Sequence, residues 1–307
     1  MNKKIPISII TLLSVATFLM SYLGKYHWIP DLFANFRMYY LYFFIIVSVY
    51  FIFTKQYFKA ISISILIIFI LIEIFPFYKP KNIKQGESSL KIASINLLKK
   101  NNNYSAFESF IQEEDFDLFF VLELTPKWKS EIDKIASLYP FKSTIVRDDF
   151  FGIGIYSKIP LTNIKHQNFS EFEVPSIIAD FTYNNKPVTI IGTHPVPPDH
   201  SDGFDARNEQ LDNINMLVHN LNKSVIIVGD LNCTSFSSNL SRLTYNTNLI
   251  DSRIGFGIQN SWNTESIFLS IPIDHCFVSN DFSVLNRKIG PYIGSDHYPI
   301  SIELNLE

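Results

Sequence analysis

The sequence predicts two parts, an N-terminal third of apolar membrane helices and a following domain of the α/β class. Apolar residues are concentrated in residues 1–78, in a chain of 307 residues with 47% hydrophobic and 18% charged residues. From Leu90 onward, short apolar runs alternate with polar stretches of helical period. Runs such as VIIVG and VTIIG are apolar throughout, which is typical of central strands buried on both faces.

The N-terminal part contains three apolar segments, at residues 6–23, 38–53 and 60–77. Each approaches the roughly 20 residues that a helix needs to cross a bilayer. Tyrosines and tryptophans cluster near the segment ends, as expected of interfacial anchors. We therefore expect about three transmembrane helices in residues 1–78, in a multi-pass protein of the cell (inner) membrane. A cleavable signal peptide is the alternative for the first segment, although two further spans follow and no A-x-A site is visible.

The orientation of these spans is weakly determined, because Lys and Arg residues are nearly balanced between the two sides. Lys3 and Lys4 slightly favour a cytoplasmic N-terminus, which would put the C-terminal domain outside the cytoplasm. Residues 79–89 are polar, without an apolar period, and are predicted to be a linker. The C-terminal domain is therefore assigned to residues 90–307.

The net charge and the cysteine content give no positive indication of nucleic-acid binding or of a zinc site. The net charge of −3 provides no overall basic field of the kind that favours nucleic-acid binding. The two cysteines, Cys233 and Cys276, are not in a CxxC spacing, which argues against a zinc site. A disulfide between them stays open, and for Cys233 we favour a small packed residue.

The elements of the C-terminal domain follow from the apolar periodicity. Strands are predicted at residues 90–97, 117–124, 152–157, 176–183, 187–194, 224–231, 274–279 and 299–304. Helices are predicted at residues 104–113, 128–137 and 204–222.

Polar residues of catalytic type stand at the ends of these strands, where α/β folds place their ligand sites. They are Asn96, Glu123, His194, Asp230, Asn232, Asp274, Asp296 and His297. Asn96 and the GDLN segment could be ordinary turn residues, and SDH could be a helix cap, although it precedes a proline and a strand. A carboxylate inside an apolar strand, such as Glu123, nevertheless needs a cation or hydrogen bonds.

The ordered set NxL, xExT, GTH, VGDxN, IDH and SDHxP resembles the endonuclease/exonuclease/phosphatase superfamily (DNase I-like). The segments GIGIYSKIP and NSWNT are similar to the family's glycine-led strand and its tryptophan loop. The resemblance covers residues 90–304, and the preceding spans are similar to a bacterial membrane-anchored branch. It implies a four-layer α/β sandwich of two packed β-sheets, preceded by N-terminal transmembrane helices.

The resemblance also implies roles for the strand-end residues. Glu123, Asp296 and Asn96 would hold Mg²⁺, with Mn²⁺ as the alternative ion. His297 would act on the attacking water or the phosphate, with Asp274 orienting its ring. Asp230 would position or deprotonate the water, while His194 and Asn232 would bind phosphate oxygens.

Arg207 opens the long predicted helix in the segment DARNEQ. A guanidinium suits a phosphate, so Arg207 is a candidate substrate-binding residue. A surface salt bridge or a structural role at the helix start is the alternative.

The function expected from these residues is a membrane-anchored, divalent-metal-dependent phosphoesterase that acts by metal-assisted water attack. Its substrate would be a lipid head group, a nucleic acid or a small phosphoester, and no obligate protein partner is evident. The alternatives are a membrane-tethered endonuclease or exonuclease acting on DNA or RNA, and a catalytically silent scaffold or sensor.

Two departures from the family pattern bear on the substrate. The segment INLLKKNNN lacks the tryptophan-asparagine-glycine continuation of exonuclease III-like enzymes, and the loop before Arg207 contains no basic residue. Both weigh against a DNA-repair nuclease, since a DNA-binding groove usually carries a basic stripe.

Overall fold

A computed structural model of the chain describes residues 6–80, 89–266 and 269–306. Most of the predicted linker, residues 81–88, lies outside the described residues. The N-terminal part contains the helices α1 (Ile7–Met20, followed by a 3-10 turn at Ser21–Leu23), α2 (Trp28–Ala34), α3 (Arg37–Phe53) and α4 (Tyr57–Tyr78).

The three predicted apolar segments coincide with α1, α3 and α4. Of the residues described, α4 alone forms a helix long and apolar enough to cross a membrane by itself. Helix α1 with its 3-10 turn satisfies the same criterion only together with α2, from which it is bent by 112°. Helix α3 is apolar but has 17 residues. By length and composition, the described residues contain one helix that could cross a membrane, or two spans if α1 and α2 together form one.

Helix α2 was not predicted, because it lies in the stretch between the first two apolar segments. Its first turn carries local start signals. The ring Nδ1 of His27 accepts a hydrogen bond from the backbone N–H of Ile29 at 3.2 Å, and Asp31 lies in the first turn. A carboxylate in the first turn is stabilised by the partial positive charge of the helix N-terminus.

The C-terminal part contains twelve strands: β1 (Leu90–Asn96), β2 (Leu118–Leu122), β3 (Phe141–Ile145), β4 (Ile153–Ser157), β5 (Thr162–Asn168), β6 (Pro175–Tyr183), β7 (Lys186–Gly192), β8 (Ser224–Asp230), β9 (Leu249–Asp251), β10 (Asp274–Ser279), β11 (Phe282–Ile289) and β12 (Ile300–Leu306). Its helices are α5 (Tyr104–Glu114), α6 (Pro126–Ile132), α7 (Ser201–His219) and α8 (Ser241–Thr244).

The strands form two six-stranded mixed sheets, in the orders β11-β12-β1-β2-β4-β3 and β5-β6-β7-β8-β10-β9. The sheets pack face to face, because alternate residues of central strands enter a shared core. In β2, Phe120 lies in the core between the sheets, while Phe119 packs against α5 and α6. In β8, Ile226 lies between the sheets and Ile227 packs against α7. The predicted sandwich of two packed sheets with flanking helices is therefore confirmed.

Four strands were not predicted, and their composition explains why. Strand β5 is exposed along its whole length and contains Lys, His and Gln, so it lacks an apolar alternation. Strand β3 is only partly buried, and both strands lie at sheet edges. Strand β9 is short, and the apolar alternation of β11 is interrupted, so the apolar patterns of these two strands are equally weak. Sheet edges tolerate polar side chains, so their strands are the hardest to predict from apolar patterns.

Helix α6 begins earlier and ends earlier than predicted. The Thr125 Oγ1 accepts a hydrogen bond from the Trp128 N–H at 3.3 Å, and Pro126 occupies the first helical position. Both features are typical of a helix start. The cap therefore starts α6 at Pro126, two residues before the start at residue 128 that the apolar period predicts.

Candidate active site

The sheet topology brings the predicted strand ends to one edge of the sandwich. Strands β1 and β2 are parallel, so Asn96 and the residue after Leu122 lie at the same edge. Strands β7 and β8 are parallel in the other sheet and end at the same side. The antiparallel β10 and β12 begin there, with Asp274 directly paired with Asp230. The residues from both sheets meet because the sheets pack face to face.

Two histidines and two aspartates form a buried, contiguous group. The His297 Nδ1 lies 2.8 Å from Asp274 Oδ2, a hydrogen-bond distance. The His297 Nε2 lies 3.6 Å from Asp230 Oδ2, and the His194 Nε2 lies 3.5 Å from the same oxygen. All four side chains are at most 5% exposed. Asp274 therefore fixes the ring orientation of His297, and Asp230 faces both imidazoles.

The protonation states in this group are set by burial and by neighbouring charges. Burial raises the pKa of Asp230, against the opposing effect of His297. Burial by itself would lower the pKa of His297, but the carboxylates of Asp274 and Asp230 outweigh it and raise that pKa to about 10. Burial and the charge of His297 lower the pKa of His194 to about 4. At neutral pH, Asp230 thus faces one cationic and one neutral imidazole.

Gly229 allows this close approach of strand ends. It has a φ of +151°, and a Cβ at this position would lie 1.8 Å from the Thr193 carbonyl oxygen. Because backbone cannot move aside cheaply, only glycine lets β8 pass beside the residue before His194. The Asn232 amide follows in the same turn, where its Nδ2 donates to the Pro195 carbonyl oxygen at 2.9 Å.

Glu123 and Asp296 contribute carboxylate oxygens to the same pocket. Glu123 follows β2 in the left-handed region, with a φ of 58°, and is 7% exposed. Its Oε2 accepts a hydrogen bond from the Lys99 N–H at 2.7 Å. The Asp296 Oδ2 accepts from the Trp262 Nε1–H at 3.2 Å, while its buried Oδ1 has no hydrogen-bond partner among the described residues.

These oxygens fit a hard divalent cation. Burial raises the pKa of Glu123, and the negative charge of Asp296 acts in the same direction. The ionised form of Glu123 is therefore costly in this pocket. A bound cation would offset that cost. Asn96 lies beside them, paired in register with Leu122, and its Oδ1 accepts from the Leu98 N–H at 3.0 Å. The predicted ligand set of Glu123, Asp296 and Asn96 thus has the chemistry that Mg²⁺ or Mn²⁺ requires.

A second arrangement of possible metal ligands is formed by Asp230, Asp274 and His297, whose ligand atoms all lie within 4.8 Å of one another. In this group the His297 ring is already bonded to Asp274 through Nδ1. The described residues thus offer this group and the carboxylates of Glu123 and Asp296 as candidate cation sites.

The pocket between these groups has a volume of about 350 Å³. Besides the predicted residues, its wall contains apolar and aromatic side chains that the sequence did not single out. They are Leu32, Phe150, Phe151, Pro197, Pro198, Ile271 and Ile273. Asn35 and Asp199 also line it, as does Trp262 of the NSWNT loop. Apart from Trp262, no sequence signal distinguishes these residues from ordinary loop or core positions, since they are assembled from segments far apart in the chain.

Arg207 is placed differently from its predicted contact with substrate phosphate. Its guanidinium is fully buried, and its Nη2 lies 2.8 Å from the Asp31 Oδ2, with side chains 0% and 1% exposed. The same guanidinium donates to the Asn208 Oδ1 and to the Asn232 carbonyl oxygen. With its donors bound to protein groups, Arg207 links α7 to α2 and does not face the pocket. The structural alternative considered from sequence describes it better.

Arg207→Met is expected to destabilise the protein by about 3–5 kcal/mol, because it leaves the Asp31 carboxylate buried without its ion-pair partner. The double variant Asp31→Leu/Arg207→Met is expected to recover much of that loss. Thermal unfolding of the detergent-solubilised protein measures both. A stable Arg207→Met variant with a raised KM for a phosphoester would instead support the predicted phosphate contact.

Both cysteines are free and buried, at Cys233 beside the Asp230 turn and Cys276 in β10. Burial raises the pKa of each thiol to about 12. A thiol held neutral is a poor nucleophile, so neither cysteine takes part in the chemistry.

Comparisons with known proteins identify the same fold. TDP2 from D. rerio, complexed with single-strand DNA product, matches with a TM-score of 0.62 and 16% identity, covering 71% of this chain and 100% of its own. An endonuclease/exonuclease/phosphatase family protein from Bacteroides thetaiotaomicron matches with a TM-score of 0.58 and 18% identity, over 73% and 100%. A mannosyl-6-phosphatase from the same organism matches with a TM-score of 0.53 and 18% identity, over 71% and 100%.

No curated protein sequence matches the chain. A family model described as Endonuclease/Exonuclease/phosphatase family matches residues 93–297, more than half of the chain. This match confirms the superfamily predicted from the ordered motifs. The match extends over the whole set of site residues, from Asn96 to His297. The chain therefore belongs to the endonuclease/exonuclease/phosphatase family.

Proposed function

We propose that this protein is a membrane-anchored, divalent-metal-dependent phosphoesterase that hydrolyses a phosphate ester by attack of water. One observation carries the proposal. Asp230 lies 3.5 and 3.6 Å from two imidazoles, in a pocket that the carboxylates of Glu123 and Asp296 also line. Charge neutralisation, a general base and phosphate-binding donors are what phosphoryl transfer to water requires.

The protein's own residues divide the work of the reaction. Asp230 holds the attacking water and accepts its proton as the water adds to phosphorus. His297, oriented by Asp274, donates a hydrogen bond to a non-bridging phosphate oxygen and stabilises its growing charge. The neutral His194 and the Asn232 amide donate to the remaining oxygens. With water as the nucleophile, no serine or cysteine is needed.

Glu123 and Asp296, with Asn96 beside them, would hold the divalent cation. When bound, such an ion neutralises phosphate charge and stabilises the leaving oxygen. The Glu123 Oε2 accepts the hydrogen bond from the Lys99 N–H, so its other carboxylate oxygen would serve this purpose. Two structural neighbours support phosphoester chemistry, since one is a mannosyl-6-phosphatase and another was complexed with a single-strand DNA product.

Anchoring in the membrane is supported by the outer faces of the N-terminal helices. Within the most apolar stretch of α4, only 28% of the residues are buried inside the protein. Large apolar side chains of the three long helices face outward, among them Leu12, Leu13, Ile46, Phe53, Phe58, Ile61 and Ile72. Contiguous exposed apolar surface of this kind indicates a membrane or a partner. The cell membrane and an extracytoplasmic C-terminal domain remain predictions from sequence.

The proposal is tested with the full-length protein in detergent or nanodiscs, because α2 contributes to the pocket wall. Hydrolysis of bis-p-nitrophenyl phosphate, sphingomyelin and supercoiled plasmid would be measured with Mg²⁺, with Mn²⁺ and with EDTA. We expect turnover of at least one substrate that EDTA abolishes and added metal restores. Plasmid nicking alone would favour the membrane-tethered nuclease. No turnover together with no metal binding would reject the enzyme and favour the scaffold.

A further inference from the structure

Helix α2, in the connection between α1 and α3, forms part of the wall of the active-site pocket. Leu32 and Asn35 line the same pocket as Glu123, Asp230 and His297. The catalytic motifs all lie after residue 89, so this wall is supplied by the N-terminal part of the chain. A residue that lines the pocket beside the reacting groups is able to touch the substrate.

The position of α2 is fixed by a buried polar network that joins it to the C-terminal domain. The Asp31–Arg207 ion pair is almost completely buried. The other oxygen of Asp31 accepts hydrogen bonds from the Ser237 hydroxyl at 2.6 Å and the Asn239 amide at 3.1 Å. The Tyr39 hydroxyl, at the start of α3, donates to the Ser270 carbonyl oxygen at 2.6 Å. A carboxylate with three protein donors holds α2 in one place, so the wall is preorganised.

The two wall residues differ in chemistry. Leu32 adds an apolar side chain to a pocket that also contains the ring of Phe150, which is 54% exposed. The Asn35 Oδ1 accepts a hydrogen bond from the Thr234 N–H at 3.2 Å. An amide fixed through its oxygen presents its NH₂ group as a donor, which suits a phosphate oxygen. The pocket thus offers polar groups at the reacting centre and apolar groups at its wall.

The surroundings of α2 indicate where the substrate comes from. The bend of 112° between α1 and α2 turns α2 across the direction of the apolar helices. The aromatic residues Tyr26 and Phe36 flank it and are exposed, and Ile29 on the same helix is 39% exposed. A short helix with aromatic and apolar residues, lying across the end of membrane helices, is typical of the bilayer interface. With the apolar helices in a bilayer, as proposed above, the pocket walled by α2 would open near the membrane surface.

We propose that Leu32 and Asn35 are substrate-contacting residues, and that the site accepts an amphiphilic phosphoester, a lipid-like molecule, from the bilayer surface. This inference rests on the proposed phosphoesterase function. Leu32 contacts the apolar part of the substrate next to the phosphate, and Asn35 donates to the phosphate. Water-soluble phosphoesters without an apolar arm lack the first contact and are poorer substrates.

The test compares two phosphodiesters with the same leaving group, methyl p-nitrophenyl phosphate and hexadecyl p-nitrophenyl phosphate. Full-length protein is reconstituted in phosphatidylcholine vesicles, with the hexadecyl ester in the same bilayer. We expect the hexadecyl ester to be preferred by kcat/KM. We expect Leu32→Asn to reduce that preference about tenfold, mainly through KM, because one lost apolar contact in a pocket discriminates by that order. The effect of Leu32→Asn on the methyl ester, which has no apolar arm, is expected to be smaller.

Ile29→Asn is the matched control, since it adds the same polar group to α2 at an exposed position. It is expected to keep the wild-type preference, which separates the pocket contact from the partition of the long chain into vesicles. Asn35→Ala is expected to raise KM for both esters. An unchanged preference in Leu32→Asn, or an equal loss on both esters, overturns the inference. If the wild type hydrolyses neither ester, the proposed function falls and this inference with it. Turnover of the methyl ester without a preference removes only the inference.

Discussion

Replacement of His297 by alanine is expected to lower kcat by about 10³-fold, since general acid–base and charge-stabilising groups contribute on the order of 10²–10⁴-fold. The His297 ring is held by Asp274 at 2.8 Å and faces Asp230 at 3.6 Å. Its removal takes away the charged donor that stabilises the phosphate oxygens. It also leaves the buried carboxylates of Asp274 and Asp230 without the imidazolium between them, so the negative charge of Asp230 is no longer compensated by His297. Single-turnover kinetics on bis-p-nitrophenyl phosphate measure the effect on the chemical step.

His219→Ala provides the matched control, because His219 is an exposed histidine at the end of α7. We expect it to keep wild-type activity. Added imidazole is expected to restore part of the rate in His297→Ala, since the cavity left by the ring can accept it. The circular dichroism and unfolding midpoint of the variant show whether it is folded. A folded His297→Ala variant with wild-type kcat would contradict the role proposed for this histidine.

Glu123→Gln is expected to weaken binding of the divalent cation by about 100-fold or more. Even residues that only support a metal ligand contribute about 10–100-fold to metal affinity. The substitution keeps the shape of the side chain but removes a carboxylate that is 7% exposed. Because the buried charge is costly without a cation, the metal-free variant should unfold at the same temperature as the wild type or higher. Activity at limiting Mg²⁺ falls accordingly.

Metal-dependent stabilisation gives this prediction a readout that is independent of turnover. A ligand that binds only the folded state raises its stability in proportion to the logarithm of its concentration. The unfolding midpoint of the wild type should rise with Mg²⁺ or Mn²⁺, whereas that of Glu123→Gln should respond only at much higher concentrations. Glu113→Gln, an exposed change on α5, is the control. Equal metal responses of Glu123→Gln and the wild type would exclude Glu123 as a ligand.

The sequence predicted the central strands well, because these strands are buried on both faces and must be apolar throughout. Strands β7 and β8 are the clearest cases. It failed at the edges, where β5 is exposed along its length and has no apolar pattern to detect. It also failed at α2, whose helical start signals are local but whose position depends on polar contacts of Asp31 with residues 176 to 208 positions away.

The catalytic residues could be predicted individually, because a polar side chain at the end of an apolar strand is conspicuous. Their mutual geometry could not be predicted from spacing. The pairing of Asp274 with Asp230 depends on β10 lying antiparallel to β8, and the approach of His194 depends on Gly229. Arg207 illustrates the limit most clearly. An arginine near catalytic motifs suits a phosphate, yet its charge is compensated by Asp31, a residue of the N-terminal helices.

The sequence by itself determined the apolar N-terminal third, the alternating α/β domain and the family to which that domain belongs. These features depend on local composition and on short motifs at strand ends. Only the tertiary structure decided that Arg207 is bonded to Asp31 and does not line the pocket, and that α2 forms part of the pocket wall. The physical reason is that charge compensation, burial and pocket shape depend on contacts between segments distant in the chain. Each such contact is set by the packing of two sheets and the helices around them.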